Sequence, residues 1–349
     1  MTERVLSERE LNRALLARQM LLERAAVPLP RALERMGGLQ AQYAPSMYIG
    51  LWSRVEGFER DALTRALERR SVAQGTLMRS TIHLVSARDY WPLAVAIERP
   101  RREWWLKANR DGLTARDMSA AARRLRRRLA GATLRRGEIE QLIGKAQAAG
   151  IGHWLNIVRA PPSGTWARRR ADLYALAEDW LGPPEISRDD AVDHTVRRYL
   201  GAFGPASLAE MANWAGVAAT VLAPALERLM LRRFVSEEGD ELVDLPRAPL
   251  PDPQTPAPIR LLGTWDAILL AHARRANVLP ERFRDRVFHV RMPQSVTTFL
   301  VDGAAAGALA APRAPAVPGA ESRRTSRAFR DTLRRGPRVE RRSSPLYRG

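Results

Sequence analysis

The chain has 349 residues and a formal net charge of +19, with 57 basic residues against 38 acidic ones. It has no cysteine, which excludes zinc fingers, iron–sulfur clusters, disulfides and thiol catalysis, and no run of 18 apolar residues that could span a membrane. The length suggests two or three domains, and the basic excess points to a polyanionic partner, nucleic acid first.

Lysine occurs only at Lys107 and Lys145, so nearly all of this charge is arginine. Residues 304–349 hold 11 arginines against three acids, which leaves +11 over the first 303 residues. The N-terminus moves straight into an amphipathic pattern, without the apolar core of a secretory signal. A cytoplasmic monomer with no membrane partner and no cofactor is expected.

In chain order, Ser7-Glu8-Arg9-Glu10 is a capping box opening a helix to about Arg24. A short helix is expected over 30–36, ending at Gly37-Gly38. Gln40 and Gln42 follow, between that glycine pair and Pro45. In an extended segment this spacing puts both amides on one side, with Leu39 and Ala41 on the other. A further helix spans 61–70, and strand-like runs 72–78 and 81–86 flank a turn at Arg79-Ser80. Helices followed by a hairpin form a winged-helix pattern, in which the hairpin flanks DNA. Ser86 caps another helix, expected to break or bend near Pro100.

Residues 117–129 form a basic helix bearing Arg123, Arg124 and Arg127. A partner helix over 135–148, a strand over 154–158 and the turn Pro161-Pro162-Ser163-Gly164 make a second, less regular unit. The third unit is clearest: helices over 190–201, from Ser207 to near Gly216, and over 220–231 precede a hairpin turning at Glu238-Gly239-Asp240. Residues 247–258 carry five prolines and read as a linker. The fold expected is mainly α with small β-hairpins (α+β), in tandem winged-helix units that make a basic DNA-binding scaffold. The expected divisions are 1–115, 116–185 and 186–248, then an α/β segment over 259–303 and a basic disordered tail over 304–349.

No phosphate-binding glycine loop with lysine, no His-Glu-x-x-His and no Gly-x-Ser-x-Gly is present. The five histidines, His83, His153, His194, His272 and His289, are scattered and read as packing or surface groups, with no metal site among them. Composition and spacing alone describe a basic DNA-binding protein, with transcription regulator as the default reading. A metal-dependent nuclease is disfavoured by the missing carboxylate cluster.

Several ordered motifs carry a resemblance. Leu6-Ser7-Glu8-Arg9-Glu10-Leu11-Asn12-Arg13-Ala14, Gly38-Leu39-Gln40-Ala41-Gln42 and Met78-Arg79-Ser80-Thr81-Ile82-His83-Leu84-Val85 come first. Pro161-Pro162-Ser163-Gly164-Thr165-Trp166, Gly263-Thr264-Trp265-Asp266 and Leu269-Leu270-Ala271-His272 follow. Over roughly 4–303 the chain resembles the winged-helix DNA-binding family that includes the AlkZ-like and YcaQ-like DNA glycosylases. The resemblance implies removal of bulky alkylated purines from damaged duplex DNA and unhooking of interstrand crosslinks. It also implies a catalytic Gln-Φ-Gln motif with Φ aliphatic, matched by Gln40 and Gln42 with a small Ala41 between them. A related branch has Asp where Gln42 stands, which puts this chain nearer the antibiotic-adduct type. Arg79 and His83 are candidate DNA contacts, with Arg123, Arg124 and Arg127 on the basic helix. Beyond Val301-Asp302-Gly303 the family-like pattern stops, and the Arg/Pro/Ala-rich tail reads as the product of a frameshift, or of a sequencing error with the same effect, so the α/β segment over 259–303 is expected to be incomplete.

The chemistry fits neutral amides. An N7- or N3-alkylated purine is cationic, so its glycosidic bond is weakened and the base leaves neutral. The protein then has to hold a water and stabilise an oxocarbenium-like sugar, a task of orientation and electrostatics. Glutamine is too weak a base to make hydroxide, so activity is expected on charged lesions and not on neutral ones such as uracil.

Overall fold

The computed structural model describes residues 4–109, 111–271, 277–288 and 296–308; within them the fold is mixed α and β, with one six-stranded and two three-stranded sheets. His272, His289 and the tail beyond 308, for which the sequence carries expectations, lie outside the described residues.

The described residues begin with β1 (Arg4–Leu6) and α1 (Glu8–Arg18). Ser7 caps α1 with the full capping box to Glu10, but the helix stops well short of Arg24. Met20 turns the chain at φ +55°. The buried Gln19 side chain then donates to the carbonyls of Met36 and Ala202, tying three helices together.

Next come α2 (Leu29–Met36), β2 (Leu39–Gln40), α3 (Ala44–Trp52), α4 (Arg60–Glu68), β3 (Val72–Thr76) and β4 (Ile82–Ser86). α5 (Ala87–Ala108) runs 22 residues through Pro92 and Pro100 without the expected break. Proline removes one ladder bond, yet tertiary packing compensates. The buried Arg101, next to Pro100, donates to the Thr76 carbonyl and to Asn156 Oδ1, while Trp105 packs edge-on against Trp154.

The second stretch comprises α6 (Ala115–Leu129), β5 (Leu134–Arg135), α7 (Arg136–Ile143), α8 (Lys145–Gly150), β6 (Ile157–Arg159), β7 (Leu173–Leu176) and α9 (Ala177–Leu181). The single helix expected over 135–148 is split at Gly144, whose φ is +89°. The six strands lie in the order β2-β4-β3-β6-β7-β5, all antiparallel. This sheet runs across the division expected at 115–116. The hairpin β3–β4 therefore lies inside a sheet, flanked by β2 and β6, and is not a free-standing wing.

α10 (Arg188–Phe203), α11 (Leu208–Ala215), α12 (Ala219–Arg228), β8 (Arg232–Ser236) and β9 (Glu241–Asp244) follow in the order read from the sequence. β1 adds to β8 in parallel, so a strand more than 220 positions earlier completes this sheet. The proline-rich stretch is packed along α1: Arg9, Arg13 and Arg18 donate to the carbonyls of Pro253, Thr255 and Pro249. Arg18 also forms a buried pair with Asp244 at 2.7 Å, shared with Arg232 at 2.6 Å.

β10 (Arg260–Leu262), α13 (Glu281–Val287), β11 (Thr298–Val301) and β12 (Ala304–Ala308) close the described chain. The expected disordered tail therefore starts too early. β12 pairs with β11, and Ala305 is buried. The Gly263-Thr264-Trp265-Asp266 motif braces α3. Buried Asp266 takes both terminal nitrogens of Arg54, at 2.7 and 3.0 Å.

Candidate active site

The Gln-Ala-Gln segment is shaped by what precedes it. α2 stops at Gly37, which takes the left-handed conformation at φ +69° and is followed by Gly38 at φ +81°. A Cβ on Gly38 would lie 2.8 Å from Val85 Cγ1 and 3.1 Å from the Leu84 carbonyl, so only glycine lets β2 lie this close to β4. β2 then pairs Leu39 with Leu84 and Gln40 with His83. The ladder continues one residue further, where the Ala41 N–H donates to the Ile82 carbonyl at 2.7 Å. Leu39 and Ala41 are buried in the core around α2 and α3.

The alternation expected from the sequence places both amides together. Gln40 Nε2 donates to Gln42 Oε1 at 2.6 Å, with Gln40 only 6% exposed and Gln42 open to solvent. Arg79 closes the arrangement from the β3–β4 turn. Its Nη2 donates to Gln40 Oε1 at 3.4 Å, and its Nη1 donates to the Trp214 carbonyl at 2.8 Å. Arg79 and Ser80 both take positive φ, +52° and +57°, which swings the guanidinium back over β2. Donation thus runs in one direction, from guanidinium to Gln40 and from Gln40 to Gln42. With the two amides bonded directly, Gln42 Oε1 keeps a lone pair and Gln40 Nε2 a second N–H that can hold a water against the pair.

The other sequence candidates fall in different places. His83 sits opposite Gln40 but is 3% exposed, with Nδ1–H donating to the Thr81 carbonyl at 3.2 Å. Burial, helped by the neighbouring Arg79, pushes its pKa down to about 3, so the ring is neutral at physiological pH. A phosphate does not reach a side chain this enclosed; His83 lies beside Gln40 within the sheet. Arg123, Arg124 and Arg127 are exposed on α6, whose opposite face packs into a core with α7 and β7. The structure brings Gln40, Gln42, Arg79 and His83 together and leaves the α6 arginines on a separate surface. Beyond Arg79 a groove of about 740 Å³ opens between α5 and the α11–α12 turn, lined by Trp104, Lys107 and Arg188 among others.

Two residues near the glutamines carry no sequence signal of their own. Arg159 Nη1 donates to the Ala41 carbonyl at 2.9 Å, and Gln74, 1% exposed, lies beside Arg159. The motif Pro161-Pro162-Ser163-Gly164 points to them, since Gln74 Nε2 donates to the Gly164 carbonyl at 3.2 Å. Among the described residues no group of three or more metal-ligating side chains is found. Nor is any helix among them long and apolar enough to cross a membrane.

The family model described as "DNA glycosylase AlkZ-like" matches residues 33–342. The chain belongs to the AlkZ-like DNA glycosylase family. The match reaches into the tail that the sequence reading set outside the family pattern. An interstrand DNA cross-link repair glycosylase of Streptomyces sahachiroi is 22% identical over 248 residues, covering 65% of this chain and 64% of that protein. The chain therefore spans a little under two thirds of this curated relative. The solved Streptomyces sahachiroi DNA glycosylase AlkZ superposes with a TM-score of 0.72 at 20% identity, covering 86% of this chain and 87% of that one. At that identity the superposition establishes a shared fold.

Proposed function

We propose that the protein is a monofunctional DNA glycosylase hydrolysing the N-glycosidic bond of cationic, bulky N7- or N3-alkylated purines in duplex DNA, including crosslinked purines. The observation that carries this reading is the amide pair of Gln40 and Gln42 at 2.6 Å, polarised from Arg79, in a chain of this family.

The pair offers a donor and an acceptor to one water and has no titratable group to make it basic. It can orient the attack on C1′ while the lesion's own charge drives base departure. Arg79 is bound up in holding Gln40, so the phosphate-contact role given to it from the sequence is replaced by orientation of the amide. The DNA strand lies along the groove past Arg79, with Lys107 and Arg188 toward phosphates and the exposed Trp104 toward bases. The exposed Arg123, Arg124 and Arg127 add peripheral phosphate contacts. In this reading the enzyme works as a cytoplasmic monomer in DNA repair or self-resistance, without metal or cofactor.

The test is release of free base from a duplex carrying one N7-methylguanine, and from an interstrand-crosslinked duplex. Exchanging both Gln40 and Gln42 for alanine is expected to slow release by about 10²–10³-fold. Melting temperature and salt-sensitive DNA binding should persist in the variant. Wild-type rates in the double variant remove the glutamines from the mechanism. Absence of release by the wild type, with tight DNA binding intact, turns the reading toward a non-catalytic DNA-binding regulator.

A further inference from the structure

The carbonyl between the two glutamines lies where the sheet stops supporting the chain. β2 ends at Gln40, and Ala41, fully buried, uses its N–H on Ile82. Its carbonyl needs a separate donor, because a buried unpaired carbonyl is costly. That donor is Arg159 Nη1 at 2.9 Å, from β6, 118 residues further along the chain.

Arg159 is itself held in a chain of contacts. The same Nη1 lies 3.4 Å from Gln74 Oε1 on β3, and Gln74 Nε2 donates to the Gly164 carbonyl at 3.2 Å. Gly164 sits at φ +74°, and a Cβ there would come within 3.1 Å of Gln74 Oε1. The Pro161-to-Trp166 motif, which the proposed catalytic step does not use, is thus the outer end of a brace ending on Ala41. The direction of the Ala41 carbonyl fixes the plane of the Ala41–Gln42 peptide and therefore where the exposed Gln42 side chain starts. The proposed reaction needs Gln42 Oε1 turned to Gln40.

We propose that Arg159, backed by Gln74, is a positioning residue that sets the Gln42 amide for the water-holding step; the inference rests on the glycosylase reading above. Arg159 acts through the Ala41 peptide and does not touch the reacting atoms. It also lines a cavity of about 210 Å³ together with Gln74, Thr76 and Tyr174. A small cation can enter the space that a shortened side chain would leave, which makes chemical rescue possible.

The experiment compares wild type, Arg159→Ala and Arg159→Lys on the N7-methylguanine duplex, with kcat and KM separated. Arg159→Ala is expected to lose about 10–100-fold in kcat with KM little changed, since a small misplacement of a positioned group has that scale of effect. Arg159→Lys keeps the charge and one donor but lacks the planar fork, so it recovers only part of the loss. Millimolar guanidinium, against sodium chloride of equal ionic strength, should raise kcat of Arg159→Ala and leave Gln42→Ala unchanged. Side-chain amide exchange at Gln40 Nε2 gives a readout independent of turnover: slow in the wild type, fast in Arg159→Ala. Wild-type kcat and wild-type exchange in Arg159→Ala overturn the inference. So does a loss confined to KM, which makes Arg159 a DNA contact. A kcat loss with lowered melting temperature, and no recovery by lysine or guanidinium, also overturns it by reducing the role to structure. A wild type without base release counts against the glycosylase reading; the exchange measurement still decides whether Arg159 sets the amide.

Discussion

Two of the β-hairpins among the described residues, β3–β4 and β8–β9, read alike in sequence and do different work. Four consecutive residues of β3, Val72, Ala73, Gln74 and Gly75, are buried, whereas β8 keeps Phe234 and Ser236 in and Arg233 out. A strand enclosed on both faces belongs inside a sheet; an alternating one covers a core on one side. Accordingly β3–β4 is central, with β2 and its glutamine on one flank and β6 with Arg159 on the other. The hairpin β8–β9 ends a three-stranded sheet completed by β1. A hairpin turn is a local event, and its role is set by what pairs with its outer edges.

The difference can be broken first at the anchor of the outer hairpin. Asp244 on β9 is fully buried and accepts from both Arg18 and Arg232. Asp244→Ala would leave those guanidiniums without their partner and is expected to cost about 3–5 kcal/mol. Denaturant melts would show a lowered midpoint. A midpoint within error of wild type would mean that this hairpin is held without the ion pair.

The next largest effect falls at the centre of the other hairpin. A Cβ on Gly75 would lie 2.7 Å from the ring of Tyr90, which is buried against α5's neighbours and has little room to move. Gly75→Ala is expected to destabilise by about 1–3 kcal/mol through overpacking. Because Gly75 is paired with His83, which is in turn paired with Gln40, base release should slow as well. Gly239 in the turn of the outer hairpin has open space around its Cβ position, and only its φ of +89° resists a side chain. Gly239→Ala should therefore cost about 1 kcal/mol or less and leave base release unchanged. Equal effects of the two substitutions on release would erase the distinction between the hairpins.

The smallest expected effect is a flat line. Neither glutamine titrates, and His83 stays neutral down to about pH 3, so kcat should not vary between about pH 5 and 8. Stability behaves differently. His83 binds its proton more weakly folded than unfolded, so its contribution is fully present above its ordinary pKa of about 6.5. That contribution is lost as pH falls toward about 3. A bell-shaped kcat profile would bring an unrecognised acid or base into the reaction.

Much of the local structure was legible from residues. The capping boxes at Ser7 and Ser207, the stop at Gly37-Gly38 and the turn at Gly239 each rest on a side chain or φ acting within a few positions. The pairing of the two amides also followed from spacing alone, once the segment was read as extended between breakers. Less visible was the continuation of α5 through Pro100, since the compensating bonds of Arg101 reach Thr76 and Asn156, far away in sequence. The strand at 304–308 was equally hidden, because alanine and glycine carry no strand pattern and only pairing with β11 makes them one.

By itself, then, the sequence determined that Gln40 and Gln42 share a side of a short extended segment in a basic chain, because alternation and breakers are properties of neighbouring residues. Tertiary structure alone decided what holds that pair. Arg79 reaches Gln40 while anchored on Trp214, 135 residues along the chain, and Arg159 reaches Ala41 from β6. No periodicity encodes such bonds. They form when a six-stranded sheet, closed by packing of distant segments, leaves one amide and one carbonyl needing donors and brings two arginines to supply them.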